Sequence, residues 1–297
     1  MANVPNHGLV AGAERPITAQ RTAFHAGRVA QDVGAYAVLL LLTVVTVFPL
    51  LWMLLTSVTP QNQVFGSLLP SSIDSSGYGR MWTTMSFPRA FMNSVIVTAM
   101  TVAIIVVVAT LTGYAFARLS FPGRDWVFYA FLAAMMIPGQ AILVPMFIFL
   151  HQVGLLNTLP GLAFSYLGGA LPFATFLMRA FFKTLPAELG DAGRIDGCTD
   201  FGIFRRVYLP LTSPGIATIT IFQFVGTWNE FLFATTLLST PELKTLQPAL
   251  YLAVGQYSTD WPALTAGLTM ATIPIVIVYL LLQRQFVQGL TAGALKG

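Results

Sequence analysis

The chain has 297 residues, of which 56% are hydrophobic and 9% charged, and its mean hydropathy is +0.74. Soluble domains carry about 25% charged residues, so composition excludes a water-soluble enzyme of this size. Fifteen Lys and Arg against eleven Asp and Glu give a formal charge of +4, and the placement of these charges says more than their sum.

Residues 1–33 are polar with scattered Pro, Gly and Ala, and read as a disordered or interfacial segment. They do not form a signal peptide, because the apolar run beginning near residue 34 is too long and has no small-residue cleavage site. A bilayer core of ~30 Å requires about 20 mostly apolar residues as a helix. Six stretches qualify: 34–57, 91–117, 126–150, 159–178, 213–238 and 262–283. Runs such as 102–108 are apolar on every face, which argues against the alternating strands of a barrel. The expected fold is an all-α membrane protein with six transmembrane helices.

Within the spans, Pro138, Gly139 and Pro145 in the third and Pro172 in the fourth predict kinks or interruptions. Ala109, Gly113 and Ala117 form a small-residue stripe suited to helix packing. Glu230 is the one charged residue inside any span. An intramembrane acid is by default a functional candidate, so Asn229 and Glu230 are expected to line an outer vestibule or meet an external partner; alternatively they bond a neighbouring span. Gln140, beside the break in the third span, is placed to touch a passing hydroxyl or to bond another helix.

Six spans put both termini on one side. That side holds Arg15, Arg21, Arg28, Arg118, Arg124, Arg179, Lys183, Arg194, Arg205, Arg206, Arg284 and Lys296; the other has only Arg80, Arg89 and Lys244. Basic residues near span ends favour the cytoplasm, so both termini are expected there. The split also accounts for the positive charge without nucleic acid as a partner.

The polar inventory then sorts the functional classes. A single cysteine, Cys198, excludes a disulfide framework, and His7, His25 and His151 are too dispersed for a metal cluster. Coupled carriers place several ionisable groups at mid-membrane, and intramembrane hydrolases need facing nucleophiles or carboxylates; neither set can be assembled. No G-x-x-x-x-G-K-[ST] loop occurs, so any ATP that drives the protein is bound by another subunit.

The longest cytoplasmic insertion is 179–212. Thr184 is an expected N-cap and Pro186 an expected first-turn residue, with Glu188 near the positive helix end. Leu185, Leu189, Ala192 and Ile195 recur at helical spacing opposite Glu188, Asp191 and Arg194. Asp196-Gly197 interrupts the pattern, and Phe201, Phe204 and Tyr208 begin a second stripe that stops at Pro210. The pattern predicts a short helix-turn-helix, suited either to the lipid surface or to docking another protein.

The run Asp191-Ala192-Gly193-Arg194-Ile195-Asp196-Gly197, followed by Phe204, Leu209-Pro210-Leu211 and Pro214, resembles the EAA loop of ABC importer permeases. The end of the chain, QRQFVQGLTAGALKG, together with YAFARLSFPGR, MIPGQAILVPMF and WNEFLFA, resembles the smaller subunit of the maltose-type carbohydrate permeases. The loop departs from Glu-Ala-Ala in having Asp191 and Gly193: the acid is shorter by ~1.5 Å, and a mid-helix Gly costs about 0.5–1 kcal/mol against Ala.

The resemblance implies the ABC importer permease fold in a bacterial or archaeal cytoplasmic membrane, with a permease domain over 34–283, a coupling loop over 179–212 and a cytoplasmic tail over 284–297. It implies a second permease subunit, two ATPase subunits that bind ATP and Mg, and an external solute-binding protein. It assigns ATPase coupling to Glu188, Asp191, Ala192, Gly193, Asp196 and Gly197, with the small residues allowing close approach, and the solute path to Gln140, Asn229 and Glu230. A stand-alone channel or secondary carrier for a small polar solute is the alternative.

Overall fold

The computed structural model describes residues 17–66, 69–255 and 257–294. The chain divides into two compact units, Met1–Trp52 and Met53–Gly297. The first consists mainly of α1 (Ile17–Ser57), one uninterrupted helix with Pro49 inside it. It starts well before the apolar run, so residues 17–33 of the polar segment expected to be disordered or interfacial are helical; residues 1–16 lie outside the described residues.

The second unit is helical: α2 (Ser76–Thr83), α3 (Phe87–Arg118), α4 (Arg124–Ala133), α5 (Gly139–Gln152), α6 (Leu159–Thr184), α7 (Glu188–Ile195), α8 (Asp200–Leu211), α9 (Ser213–Trp228), α10 (Leu232–Leu237), α11 (Leu246–Leu250) and α12 (Trp261–Ala294). Four uninterrupted segments are long and apolar enough to cross a membrane: Asp32–Ser57, Phe87–Arg118, Leu159–Thr184 and Trp261–Val287. They correspond to the first, second, fourth and sixth expected spans.

The other two spans are broken. In the third, a short 3-10 turn follows α4 and the chain bends by 98° before α5. Pro138 sits at the break and has no N–H to continue the helical ladder. In the fifth, the expected continuous helix over 213–238 is corrected: α9 has 16 residues, about 24 Å at 1.5 Å per residue, and stops at Trp228. Asn229 and Glu230 lie between α9 and α10, not within a helix. At its start α9 is also bent by 73° from α8.

The inner core joins α3, α6, α8 and α9 through Ile105, Tyr114, Met178, Phe182, Ile203, Tyr208 and Ile219. α3 and α6 meet closely at the predicted small-residue stripe, where a Cβ on Gly113 would lie 2.6 Å from Met178 Cβ. Two outer clusters complete the packing. One gathers Met81, Phe87, Trp228, Leu246 and Leu250, and the other Val97, Leu150, Leu162 and Leu237. At the outer surface Arg80 pairs with Asp260 at 2.6 Å, and Asp260 Oδ1 also accepts from Ala263 N–H in the first turn of α12.

α12 runs without interruption to Ala294, so the expected tail begins as a continuation of the last span; residues 295–297 lie outside the described residues.

Candidate functional site: a cytoplasmic helical loop and a break in the membrane

The cytoplasmic insertion forms the expected helix-turn-helix, α7 and α8, with Gly197 at φ +75° in the turn between them. That left-handed geometry suits glycine. Thr184 is not the N-cap: α6 runs through it, and its hydroxyl donates to Phe181 carbonyl. α7 therefore starts four residues later, at Glu188.

The glycines of α7 face inward. A Cβ on Gly190 would lie 2.9 Å from the Tyr208 hydroxyl, and one on Gly193 would lie 2.9 Å from Ile203 Cγ1. Gly193 is buried against α8, which corrects the expectation that it permits approach by another protein; the close approach is internal. Glu188, Asp191, Ala192, Asp196 and Gly197 are exposed. Asp191 accepts from Arg194 at 3.0 Å, and Arg194 also pairs with Asp200 at 3.5 Å. Ile195 is 86% exposed and Phe201 65%, so this charged surface carries two large apolar side chains that its own fold leaves uncovered.

The loop is tied to the bundle by groups that sequence reasoning missed. Arg118, the last residue of α3, donates to the carbonyls of Phe182 and Leu185 at the end of α6. Its guanidinium also lies 4.8 Å from the centre of the Tyr208 ring. Tyr114 donates from its hydroxyl to Asp200 carbonyl at 3.3 Å. Arg118 was visible only as a basic residue at a span end, a feature that topology alone explains.

Deeper in the bundle, the break between α4 and α5 borders a cavity of about 490 Å³ lined by residues of the break, α6 and the end of α9. Glu230 lines it, but its carboxylate is engaged: Tyr166 hydroxyl donates to Oε2 at 2.8 Å, Phe233 N–H to Oε1 at 2.8 Å and Ala234 N–H to Oε2 at 3.0 Å. Glu230 thus holds the N-terminus of α10, where a negative charge is favoured, and links it to α6. Asn229 is exposed, donating to Val225 carbonyl and accepting from Gln247 at 3.3 Å. Gln140 is exposed in the first turn of α5 and is not among the cavity-lining residues. Glu230 therefore belongs to the cavity wall, while Gln140 and Asn229 lie outside it.

Residues 105–292 match the family model described as "Binding-protein-dependent transport system inner membrane component". The chain is 34% identical to the diacetylchitobiose uptake system permease protein NgcG of Streptomyces coelicolor over 266 residues, covering 88% of each protein. It is 35% identical to the trehalose transport system permease protein SugB of Mycobacterium tuberculosis over 252 residues, covering 84% of this chain and 92% of that one. Among solved structures, a chain of a bacterial ABC transporter involved in import of the acidic polysaccharide alginate superposes with a TM-score of 0.76 at 26% identity, covering 88% of this chain and 98% of the other.

Proposed function

This chain belongs to the family of binding-protein-dependent transport system inner membrane components, and from that premise we propose that the solute it passes is a neutral disaccharide or short oligosaccharide. It is a multi-pass permease subunit of an ABC importer. The observation that carries the solute class is the membrane interior itself. Its one acid, Glu230, is committed to three hydrogen bonds within the chain, and the cavity wall carries no basic side chain to hold an anionic solute. Two of its relatives, the diacetylchitobiose and trehalose permeases, point to the same class.

The partners in this reading are a second permease subunit, two ATPase subunits that bind ATP and Mg, and an external binding protein that delivers the sugar. The ATPase docks on the outward face of α7, where Glu188, Asp191, Ala192 and Asp196 surround Ile195. Gly197 shapes the turn behind that face, and Gly193 locks α7 to α8. A push on α7 passes through the Gly190–Tyr208 and Gly193–Ile203 contacts into α8. From there Arg118 and Tyr114 carry it to α3 and α6. Packed elements shift as rigid groups between discrete arrangements, so the helix pair acts as a lever. Gln140, Asn229 and Glu230 belong to the path or to its outer mouth in this reading.

Calorimetric titration of the cognate binding protein with trehalose, diacetylchitobiose, glycerol phosphate and a hexuronate disaccharide tests the solute class. Binding confined to the neutral sugars supports it; preference for either anionic ligand refutes it.

A further inference from the structure

The cavity at the break of the third span has two features that helix packing does not explain. The first is Gln223 on α9: its side chain is 8% exposed and lines the cavity, yet its amide forms no hydrogen bond among the described residues. The amide is not among the buried unpaired polar atoms of the described residues, so it reaches the open space of the cavity, where water or a ligand can satisfy it. The second is a set of four glycines, Gly139, Gly168, Gly169 and Gly226, that also line the space. A Cβ added at Gly168, Gly169 or Gly226 would find no atom within 4 Å, and one at Gly139 would meet only Phe233 at 4.0 Å. Gly113 and Gly161, by contrast, are held close to neighbouring backbone. Glycine inside a helix is unfavourable relative to alanine, so at Gly168, Gly169 and Gly226, which are exposed, the chain accepts that cost where packing within the chain does not require it. What these positions preserve is open volume.

The break supplies the remaining polar groups. α5 begins at Gly139 with Pro138 as its N-cap, which offers no side-chain acceptor, and a helix N-terminus leaves first-turn N–H groups without intrahelical partners. Irregular backbone at membrane depth is tolerated where it meets protein or a water-filled cavity, not lipid. The cavity therefore brings together the first residue of α5, an unbonded amide and apolar walls from Ile142 and Phe233, and the one carboxylate among its lining residues is already engaged. A volume of about 490 Å³ is within the usual range for small-molecule sites, roughly 300–1,000 Å³.

We propose that this cavity is a solute subsite contributed by this chain, in which the Gln223 amide and the N-terminus of α5 bond the hydroxyls of a neutral sugar and the glycines provide clearance for its ring. The inference rests on the sugar reading above and adds that this subunit itself touches the passing solute. Gln223 sets how tightly the ring is held; Gly168, Gly169 and Gly226 set whether it fits.

The test uses the assembled transporter in proteoliposomes. In a Cys198→Ser background, Gly226→Cys is exposed to the impermeant reagent methanethiosulfonate ethylsulfonate, with Ile277→Cys on an apolar face as control. Reaction at least tenfold faster at position 226 is expected; equal rates overturn the aqueous cavity. In parallel, ATP-driven uptake of radiolabelled trehalose and diacetylchitobiose is compared for wild type, Gly168→Ala, Gly168→Leu and Gln223→Ala. Gly168→Leu is expected to lower uptake at least tenfold, and Gln223→Ala to raise the half-saturating sugar concentration several-fold. Gly168→Ala, whose Cβ enters empty space, is expected to assemble normally and fall between wild type and Gly168→Leu. Wild-type transport with Gly168→Leu and Gln223→Ala both unchanged overturns the subsite. Failure of the wild type to move either sugar refutes the solute reading above and the ligand class here, while thiol reactivity independently decides whether the cavity is an aqueous path.

Discussion

Replacing Arg118 by alanine isolates the tie between the cytoplasmic helix pair and the bundle. The guanidinium donates to two carbonyls at the end of α6 and lies over the Tyr208 ring, so one side chain joins α3, α6 and α8. A hydrogen bond involving a charged group is worth about 1.5–3 kcal/mol, and a cation over an aromatic ring about 0.5–2 kcal/mol. Arg118 is only half-buried, its Nε has no partner, and water can reach part of the vacated site. The net loss is therefore about 3.5 kcal/mol, the lower end of the sum. Since 1.4 kcal/mol is a tenfold change in an equilibrium, loss of this size lets α7 and α8 move without carrying α3 and α6. The assay is sugar uptake per ATP hydrolysed in the reconstituted complex. Arg118→Ala is expected to lower that ratio at least tenfold while ATP hydrolysis persists. Arg118→Lys, whose compact ammonium keeps donors for the carbonyls but has no planar guanidinium to cover the ring, is expected to be intermediate. An unchanged ratio in Arg118→Ala would refute the lever.

Other substitutions probe separate links. Gly197→Ala places a Cβ at φ +75° and is expected to cost about 1–2 kcal/mol, seen as a lower thermal midpoint of the purified complex. Asp191→Lys breaks an exposed ion pair with Arg194, worth at most about 0.5 kcal/mol, so stability should barely change while co-purification with the ATPase falls sharply. Glu230→Gln weakens the cap on α10 and is expected to cost about 1–2 kcal/mol, with a matching drop in thermal midpoint. At the outer surface, the Arg80 hydrogen bond holds the Asp260 carboxyl below its ordinary value, partly opposed by burial. A depressed carboxylate pKa adds stability that is full above the ordinary range and lost as pH falls through the lowered value. The wild type should therefore lose thermal stability below about pH 4 more steeply than Asp260→Asn, by about 1 kcal/mol after allowance for solvent screening.

Features governed by local chemistry were legible in the sequence. Pro138 interrupts its span because it lacks an N–H, Gly197 occupies a left-handed turn, and the small-residue stripe at Gly113 marks where α3 meets α6. Features governed by the other side of a contact were not. Gly193 reads as a docking residue until α8 is seen packed on it, and its partner Ile203 is ten residues downstream, as Tyr208 is 18 residues downstream of Gly190. The apolar run over 213–238 conceals the stop at Trp228, because hydropathy does not register that Glu230 has turned back to cap the next helix. Tyr166 and Gln223 are isolated polar residues in apolar spans, and nothing in their spacing indicates that they face one cavity.

The central claim is that this chain passes a sugar only when an ATPase works on its cytoplasmic helix pair. Uptake of radiolabelled trehalose and diacetylchitobiose into proteoliposomes should require this chain, a second permease subunit, the ATPase, hydrolysable ATP and the loaded binding protein together. Flux of either sugar through this chain alone, without ATP, would contradict it.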